Sequence, residues 1–210
     1  MKSLNFKSNL SIFIIWLFTI SGMLGVLSDF QDWFLGYTPL YLFLALVIIL
    51  LYFTQFNAGV ILLLAITFFL GFVVEILGLN FGLIFGNYSY GQNLGFMCFG
   101  VPLMMSVIWI LLIIIKSDIP RIVSKNVLET TLVASALITA LHMIIEISAT
   151  RFYFWEFDDR VVTIQNYLIW FGTAFIANMV YQYFKVGFKK IISAQANVSI
   201  VIFFSIFLFF

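Results

Sequence analysis

The sequence predicts an all-α integral membrane protein, a polytopic bundle of about seven transmembrane helices within a range of six to eight. The chain has 210 residues, of which 64% are hydrophobic and only 9% are charged. Soluble domains carry about 25% charged residues, so this composition is typical of a bilayer environment. Segments long and apolar enough to span a membrane follow one another along residues 1–210. We therefore predict a single integral membrane domain.

Three apolar segments predict the first three helices: residues 10–27, 39–53 and 60–77. The first helix is expected to end before Asp29. The second begins near Pro39, a residue suited to the first turn of a helix. It is short, and the uncharged polar residues 54–59 separate it from the third helix.

Four further apolar segments complete the predicted bundle: residues 101–115, 127–148 and 166–184, and a last run that ends at Phe210. The uncharged connection 80–95 is rich in Gly, Asn and Tyr. Irregular backbone at membrane depth is tolerated only where protein or a water-filled cavity covers it. This favours a half-buried loop over a pocket. The alternative is a plain interfacial loop with Tyr88 and Tyr90 among the aromatic residues of the membrane interface.

Positive charge predicts the orientation, because short cytoplasmic loops hold an excess of Lys and Arg. With seven helices, most basic residues fall on one side: Lys2, Lys7, Lys116, Arg121, Lys125, Lys185, Lys189 and Lys190. Only Arg151 and Arg160 fall on the other side. We therefore predict a cytoplasmic N-terminus in a multi-pass protein of the bacterial inner (cell) membrane. The net charge of +1 gives no indication of a nucleic-acid partner, and the apolar composition makes the lipid bilayer the expected partner.

Glu75 is the only charged side chain in residues 33–115. A carboxylate at membrane depth costs at least ~2.5 kcal/mol on insertion scales, so such a residue usually faces a cavity or a partner. Helical spacing places Gly71, Gly78 and Gly82 on the same face as Glu75, and Gly86 extends this series. Such glycines let another helix approach closely. The alternative is a glutamate that only locks helices together.

The fifth predicted helix carries a second polar face at the same spacing: Ser135, Thr139, His142 and Glu146. His142 is the only histidine and lies one turn from Glu146. One His with two dispersed Glu falls short of a metal ligand set, so we expect no metal. Acid/base chemistry is the better functional hypothesis. The alternatives are a helix–helix hydrogen bond for His142 and an interfacial position for Glu146.

Aromatic residues near these polar groups could surround a site that tolerates a developing cation, because ring faces attract positive charge. The sixth predicted helix opens with Asn166 and Trp170, one turn apart. The other candidate wall residues are Tyr88, Tyr90 and Trp109. For Tyr153, in the aromatic string 152–155, an interfacial position is the preferred interpretation.

Residues 71–109 resemble the CruF-type carotenoid 1,2-hydratases (bisanhydrobacterioruberin hydratase-like proteins). The hallmark of that family is a glutamate, glycines, an F-G-x-Y-x-Y segment, a G-V-P and a tryptophan. The matching residues here are Glu75, Gly78, Gly82, Phe85, Gly86, Tyr88, Tyr90, Gly95, Gly100, Val101, Pro102 and Trp109. A looser match covers residues 142–170 and includes Glu146, Trp155, Phe157, Asn166 and Trp170.

The resemblance implies an enzyme of carotenoid biosynthesis, a hydro-lyase that adds water across the terminal C=C of an acyclic carotenoid end group. Protonation of this alkene makes a tertiary carbocation, and water then adds and loses a proton to give a tertiary alcohol. Glu75 is the expected acid, because burial disfavours its charged form. Glu146 or His142 would orient the water, and Glu75 and Glu146 could exchange roles. The expected substrate-binding residues are Tyr88, Tyr90, Trp109, Asn166 and Trp170.

Hydration needs no cofactor, and none is expected. The expected partners are a carotenoid substrate and the bilayer, with other carotenoid enzymes as a further candidate class. Two alternatives remain open. A small proton-coupled transporter would use Glu75 and His142 as a relay, although no inverted repeat is evident. A noncatalytic assembly partner of pigment enzymes would tolerate the loss of Glu75.

Overall fold

The computed structural model describes residues 6–82, 85–158 and 162–210. Within these ranges the chain is mostly helical, which confirms the predicted class at that level. Eight α-helices follow in order: α1 (Phe6–Val26), α2 (Gln31–Gly36), α3 (Thr38–Leu50), α4 (Ala58–Phe81), α5 (Leu103–Ser117), α6 (Val127–Ala149), α7 (Ile164–Tyr183) and α8 (Lys190–Ile206). Each predicted segment corresponds to one of these helices, with its ends shifted, and the short α2 is additional.

Among the described residues, four helical segments are long and apolar enough to cross a membrane. They are α1, α4, α6 and the segment Leu103–Ile122, which includes α5. Helices α3 and α8 are apolar but shorter. Helix α7 is long, but it buries polar side chains such as Asn166 and Asn178. These helices are consistent with a membrane protein, while seven spans and a cytoplasmic N-terminus stay predictions.

Helix α5 forms the centre of the bundle. It packs against α3, α4, α6, α7 and α8, and nearly all of its side chains from Met105 to Ser117 are buried. A helix that is apolar on all sides is expected to lie inside a protein, and α5 follows this rule. It therefore carries Trp109 into the space between α4 and α7.

Polar caps fix where the helices around the candidate site begin. The side chains of Asn57, Asn126 and Thr163 accept first-turn backbone N–H groups of α4, α6 and α7. These bonds satisfy donors that have no partner within the helix. Gly82 ends α4 with a φ of +60°, a left-handed conformation suited to glycine.

The predicted glycine face is wrong beyond the end of α4. Gly82 is the residue that terminates this helix, and Gly86 lies in the loop with a φ of +91°. Both positions require the left-handed backbone that glycine adopts readily. Only Gly71 and Gly78 therefore share the helical face with Glu75.

Most of the basic loops meet at one end of the bundle, called the basic end: the start of α1 and the α3–α4, α5–α6 and α7–α8 connections. The Tyr52 hydroxyl donates to the Lys7 carbonyl at 2.8 Å, and the Lys189 N–H donates to the Tyr52 carbonyl at 3.2 Å. Arg121 donates to a carbonyl of the α7–α8 connection at 3.2 Å. The predicted clustering of these basic residues is therefore present. Two residues of the charge argument lie outside the described residues: Lys2 and Arg160.

The opposite end is closed by loops that form small antiparallel sheets. In the described part of these loops there are two pairs: β1 (Tyr88–Tyr90) with β4 (Trp155–Phe157), and β2 (Met97–Cys98) with β3 (Val101–Pro102). In the first pair Tyr88 lies opposite Phe157, and Tyr90 opposite Trp155. Alternate residues of a strand share a face, so these four aromatic side chains point to the same side. The half-buried loop was predicted, but its pairing with residues 155–157 was not.

Candidate active site

Glu75 lies on α4 with 3% of its surface exposed. Its Oε2 accepts hydrogen bonds from the Tyr90 hydroxyl at 2.6 Å and the Tyr88 hydroxyl at 3.1 Å. The Trp109 indole N–H donates to Oε1 at 3.4 Å. Among the described residues, no Lys or Arg forms an ion pair with this carboxyl group. Three uncharged donors, two from the loop and one from α5, therefore hold Glu75.

The two tyrosines remain protonated at neutral pH. Burial raises the pKa of the Tyr88 and Tyr90 hydroxyls above the ordinary value, and the adjacent Glu75 carboxyl raises it further. Each phenol therefore keeps its O–H as a hydrogen-bond donor at neutral pH and would lose this donor only at high pH. Strand β1 thus presents two hydroxyl donors to Glu75 throughout the neutral pH range.

His142 and Glu146 form a second polar group on α6. The His142 Nε2 lies 3.0 Å from Glu146 Oε2, and their side chains are only 3% and 7% exposed. The other carboxyl oxygen accepts the Trp155 indole N–H at 2.6 Å. The Asn166 side-chain nitrogen on α7 lies 3.3 Å from His142 Nε2. The buried His142 Nδ1 has no hydrogen-bond partner among the described residues, so this nitrogen is available to a bound molecule, as donor or acceptor according to the tautomer.

Stacked rings connect these two groups. The Trp109 and Trp170 rings stack with centroids 4.4 Å apart. Trp170 also stacks against His142, with centroids 3.6 Å apart and an interplanar angle of 9°. The Trp155 ring lies 5.9 Å from His142. This column places large π-faces beside both polar groups, and such faces attract cations.

Glu75 and His142 face the same small cavity, called the carboxyl pocket. Its volume is about 20 Å³, enough for one water molecule. Its lining residues are Glu75, Phe85, Tyr88, Tyr90, Met105, His142, Trp155, Phe157, Asn166 and Trp170. Most of the predicted site residues therefore meet here. Trp109 and Glu146 do not line the pocket, and lie behind it in contact with Glu75 and His142.

Four lining residues were not predicted as site residues: Phe85, Met105, Trp155 and Phe157. The sequence indicated three of them: Phe85 belongs to the close resemblance over residues 71–109, and Trp155 and Phe157 belong to the looser match over residues 142–170. Met105 had no signal beyond its place one turn before Trp109. Tyr153, predicted to be interfacial, is 60% exposed and lies outside the pocket.

Gly71 leaves the space that the Trp109 side chain occupies. A Cβ atom at Gly71 would lie 2.7 Å from Trp109 Cγ, much closer than a normal contact. We expect Gly71→Ala to displace the indole and destabilise the protein by roughly 1–3 kcal/mol, the usual cost of overpacking. Thermal unfolding in detergent measures this effect. Gly172→Ala on α7 is the matched control, because a Cβ there meets nothing within 4 Å. Equal stability of the two variants would contradict the prediction.

Residues 37–210 match a protein family described as "Carotenoid biosynthesis protein". The matched region runs from the start of α3 through α8, so it includes every residue that lines the carboxyl pocket. The family description names a pathway and no reaction. No curated protein and no solved structure matches the chain.

Proposed function

Because the chain belongs to the carotenoid biosynthesis protein family, we propose that it is a hydro-lyase that hydrates the terminal C=C of an acyclic carotenoid end group. The observation that carries this proposal is the carboxyl pocket itself. A carboxyl group and an imidazole face one water-sized cavity among aromatic rings. Hydration of an alkene needs a proton donor, a proton acceptor and one water, and this pocket has a place for each.

Glu75 is the proposed proton donor. In its neutral form Oε2 is the carbonyl oxygen and accepts both tyrosine hydroxyls, so the acidic proton on Oε1 can be donated to the alkene. A C–H bond forms as the O–H bond breaks, and negative charge grows on the carboxyl group. Tyr88, Tyr90 and Trp109 already point their donors at this carboxyl. Fixed donors of this kind stabilise developing charge without reorganisation.

Aromatic rings are proposed to stabilise the carbocation that results. Trp155, Phe157 and Trp170 line the pocket, and a ring face attracts a cation by ~2 kcal/mol or more once both are desolvated. The tryptophan and histidine stack also holds Trp170 in place. The rings offer no nucleophile, so water is the group that captures the cation.

His142 is the proposed base that takes the proton from this water. In the proposed tautomer Nε2 carries the proton beside the Glu146 carboxylate, the Asn166 amide turns its oxygen toward Nε2, and Nδ1 is the acceptor. The water oxygen forms the C–O bond as its proton passes to Nδ1. Glu146 lies behind the pocket, which favours His142 as the base and Glu146 as a positioning residue. The proton gained by His142 equals the proton lost by Glu75, and both groups face the cavity through which it can return.

We place the enzyme in the bacterial inner membrane with seven spans and a cytoplasmic N-terminus. The clustering of Lys7, Arg121 and Lys189 at one end supports this orientation under the positive-inside rule. Glu75 lies near the opposite end of α4. The carboxyl pocket would then lie in the outer half of the bilayer, where an apolar substrate can reach it from the lipid.

Pigment analysis tests the proposed function. Cells that make an acyclic carotene and express this protein should accumulate a product heavier by one water per open end. In oxygen-18 water the new hydroxyl should carry the label, which distinguishes hydration from hydroxylation by molecular oxygen. Unchanged pigment in cells with correctly inserted protein would reject the proposal.

A further inference from the structure

A second and larger cavity lies on the other side of Trp155. Its volume is about 260 Å³, and its walls come mainly from α1, α3, α5 and α8. Among the described residues that line it none is charged, and the few polar ones include Thr19 and Ser199. We call it the apolar cavity. Its α1 wall lies outside the region that matches the family.

The apolar cavity is long and runs parallel to the helices. Its lining residues on α1 extend from Ile15 to Val26. At 1.5 Å per residue this separation corresponds to about 16 Å along the helix axis. A cavity of this shape suits a chain lying along the bundle and not a compact molecule.

Trp155 forms a wall of both cavities. Its indole N–H is bonded to Glu146 at 2.6 Å, and Ile145, the neighbour of Glu146, lines the apolar cavity. The apolar cavity therefore ends where the carboxyl pocket begins. Trp155 stands between the two cavities, so its side chain has to move for one ligand to occupy both.

We infer that the apolar cavity binds the isoprenoid chain of the substrate, so that the terminal C=C passes Trp155 and enters the carboxyl pocket. This inference rests on the proposed function and adds where the rest of the substrate lies. At about 20 Å³ the carboxyl pocket holds one water molecule, so the terminal C=C can enter it only as the Trp155 side chain moves, and the rest of the chain must lie elsewhere. A phospholipid is a poor occupant, because its charged headgroup would find no charged partner in the lining. The occupant is therefore apolar along its whole length.

Filling the cavity tests this inference. Ala45 on α3 lines it, and Ala45→Phe would place a ring in the ligand's space. Thr19→Phe fills it from the opposite wall on α1. The matched control is Ala136→Phe on the exposed face of α6. We expect each filling variant to lower the acyclic carotene bound per purified protein in lipid nanodiscs by about tenfold, because interiors are close-packed, and the control to bind normally.

Turnover gives a second readout that separates the two proposals. Both filling variants should lose hydration of an acyclic carotene but keep hydration of a short isoprenoid with the same terminal C=C. Normal carotene binding by both variants, or phospholipid retained in the cavity under saturating carotene, would overturn the inference while leaving the hydratase intact. Carotene binding that depends on Ala45, without any water added by the wild-type protein, would support the inference and reject the hydratase.

Discussion

Glu75→Gln is expected to remove most of the hydration activity while the protein still inserts and folds. The amide has nearly the same shape as the carboxyl group and can still accept the hydroxyls of Tyr88 and Tyr90 through its oxygen. It has no acidic proton to donate to the alkene. General acid catalysis contributes about 10²- to 10⁴-fold to a rate, and we expect a loss of that size. The measurement is the rate of product formation in membranes that contain equal amounts of each protein.

The matched control for this substitution is Glu129→Gln. Glu129 is an exposed carboxyl group in the first turn of α6, far along that helix from His142. The same chemical change there should leave the rate unchanged. Product formation by Glu75→Gln at the wild-type rate would show that Glu75 serves only to hold α4, α5 and the loop together.

His142→Phe is the second change expected to have a large effect. A phenyl ring can keep the stacking contact with Trp170, whose centroid lies 3.6 Å from that of His142. It has no nitrogen to accept a proton from water. We therefore expect a fall of about 10²-fold or more in the hydration rate, with little change in carotene binding. A rate within a few-fold of wild type would transfer the role of base to Glu146.

Variants of Glu146 separate positioning from catalysis. Glu146→Gln should lower the rate less than His142→Phe and shift the pH at which activity is half-maximal, because the imidazole loses its charged partner. Glu146→Asp keeps the carboxylate and should restore the wild-type profile in part. A purely structural role would change stability in these variants but leave the pH profile in place.

Several features of the site could be predicted because they depend on local sequence. Apolar runs locate the helices, because a segment inside the bilayer has no water to bond its backbone N–H and C=O groups and satisfies them by forming a helix. Glu75 and His142 stood out because an ionisable group in such a run is costly. Tyr88 and Tyr90 were proposed as aromatic wall residues and then matched the resemblance, and the uncharged character of residues 80–95 indicated that their loop is covered.

Other features depend on contacts between distant segments. The pairing of β1 with β4 brings Trp155 and Phe157 to the pocket, and no local pattern at either strand predicts it. The glycine face was misjudged because periodicity continued past Gly82, where the backbone turns to positive φ and the helix stops. The positions of His142 in the pocket and Glu146 behind it depend on how α6 is rotated against α7.

The sequence by itself determined that the protein is a mostly helical, membrane-type chain with a buried carboxyl group and a buried imidazole, because hydropathy and the cost of buried charge act residue by residue. Only the tertiary structure decided which groups meet. Three donors converge on Glu75, His142 faces the same cavity, and Trp155 divides that pocket from the apolar cavity. The physical reason is that these contacts arise from the packing of α5 among its neighbours and from strand pairing between loops.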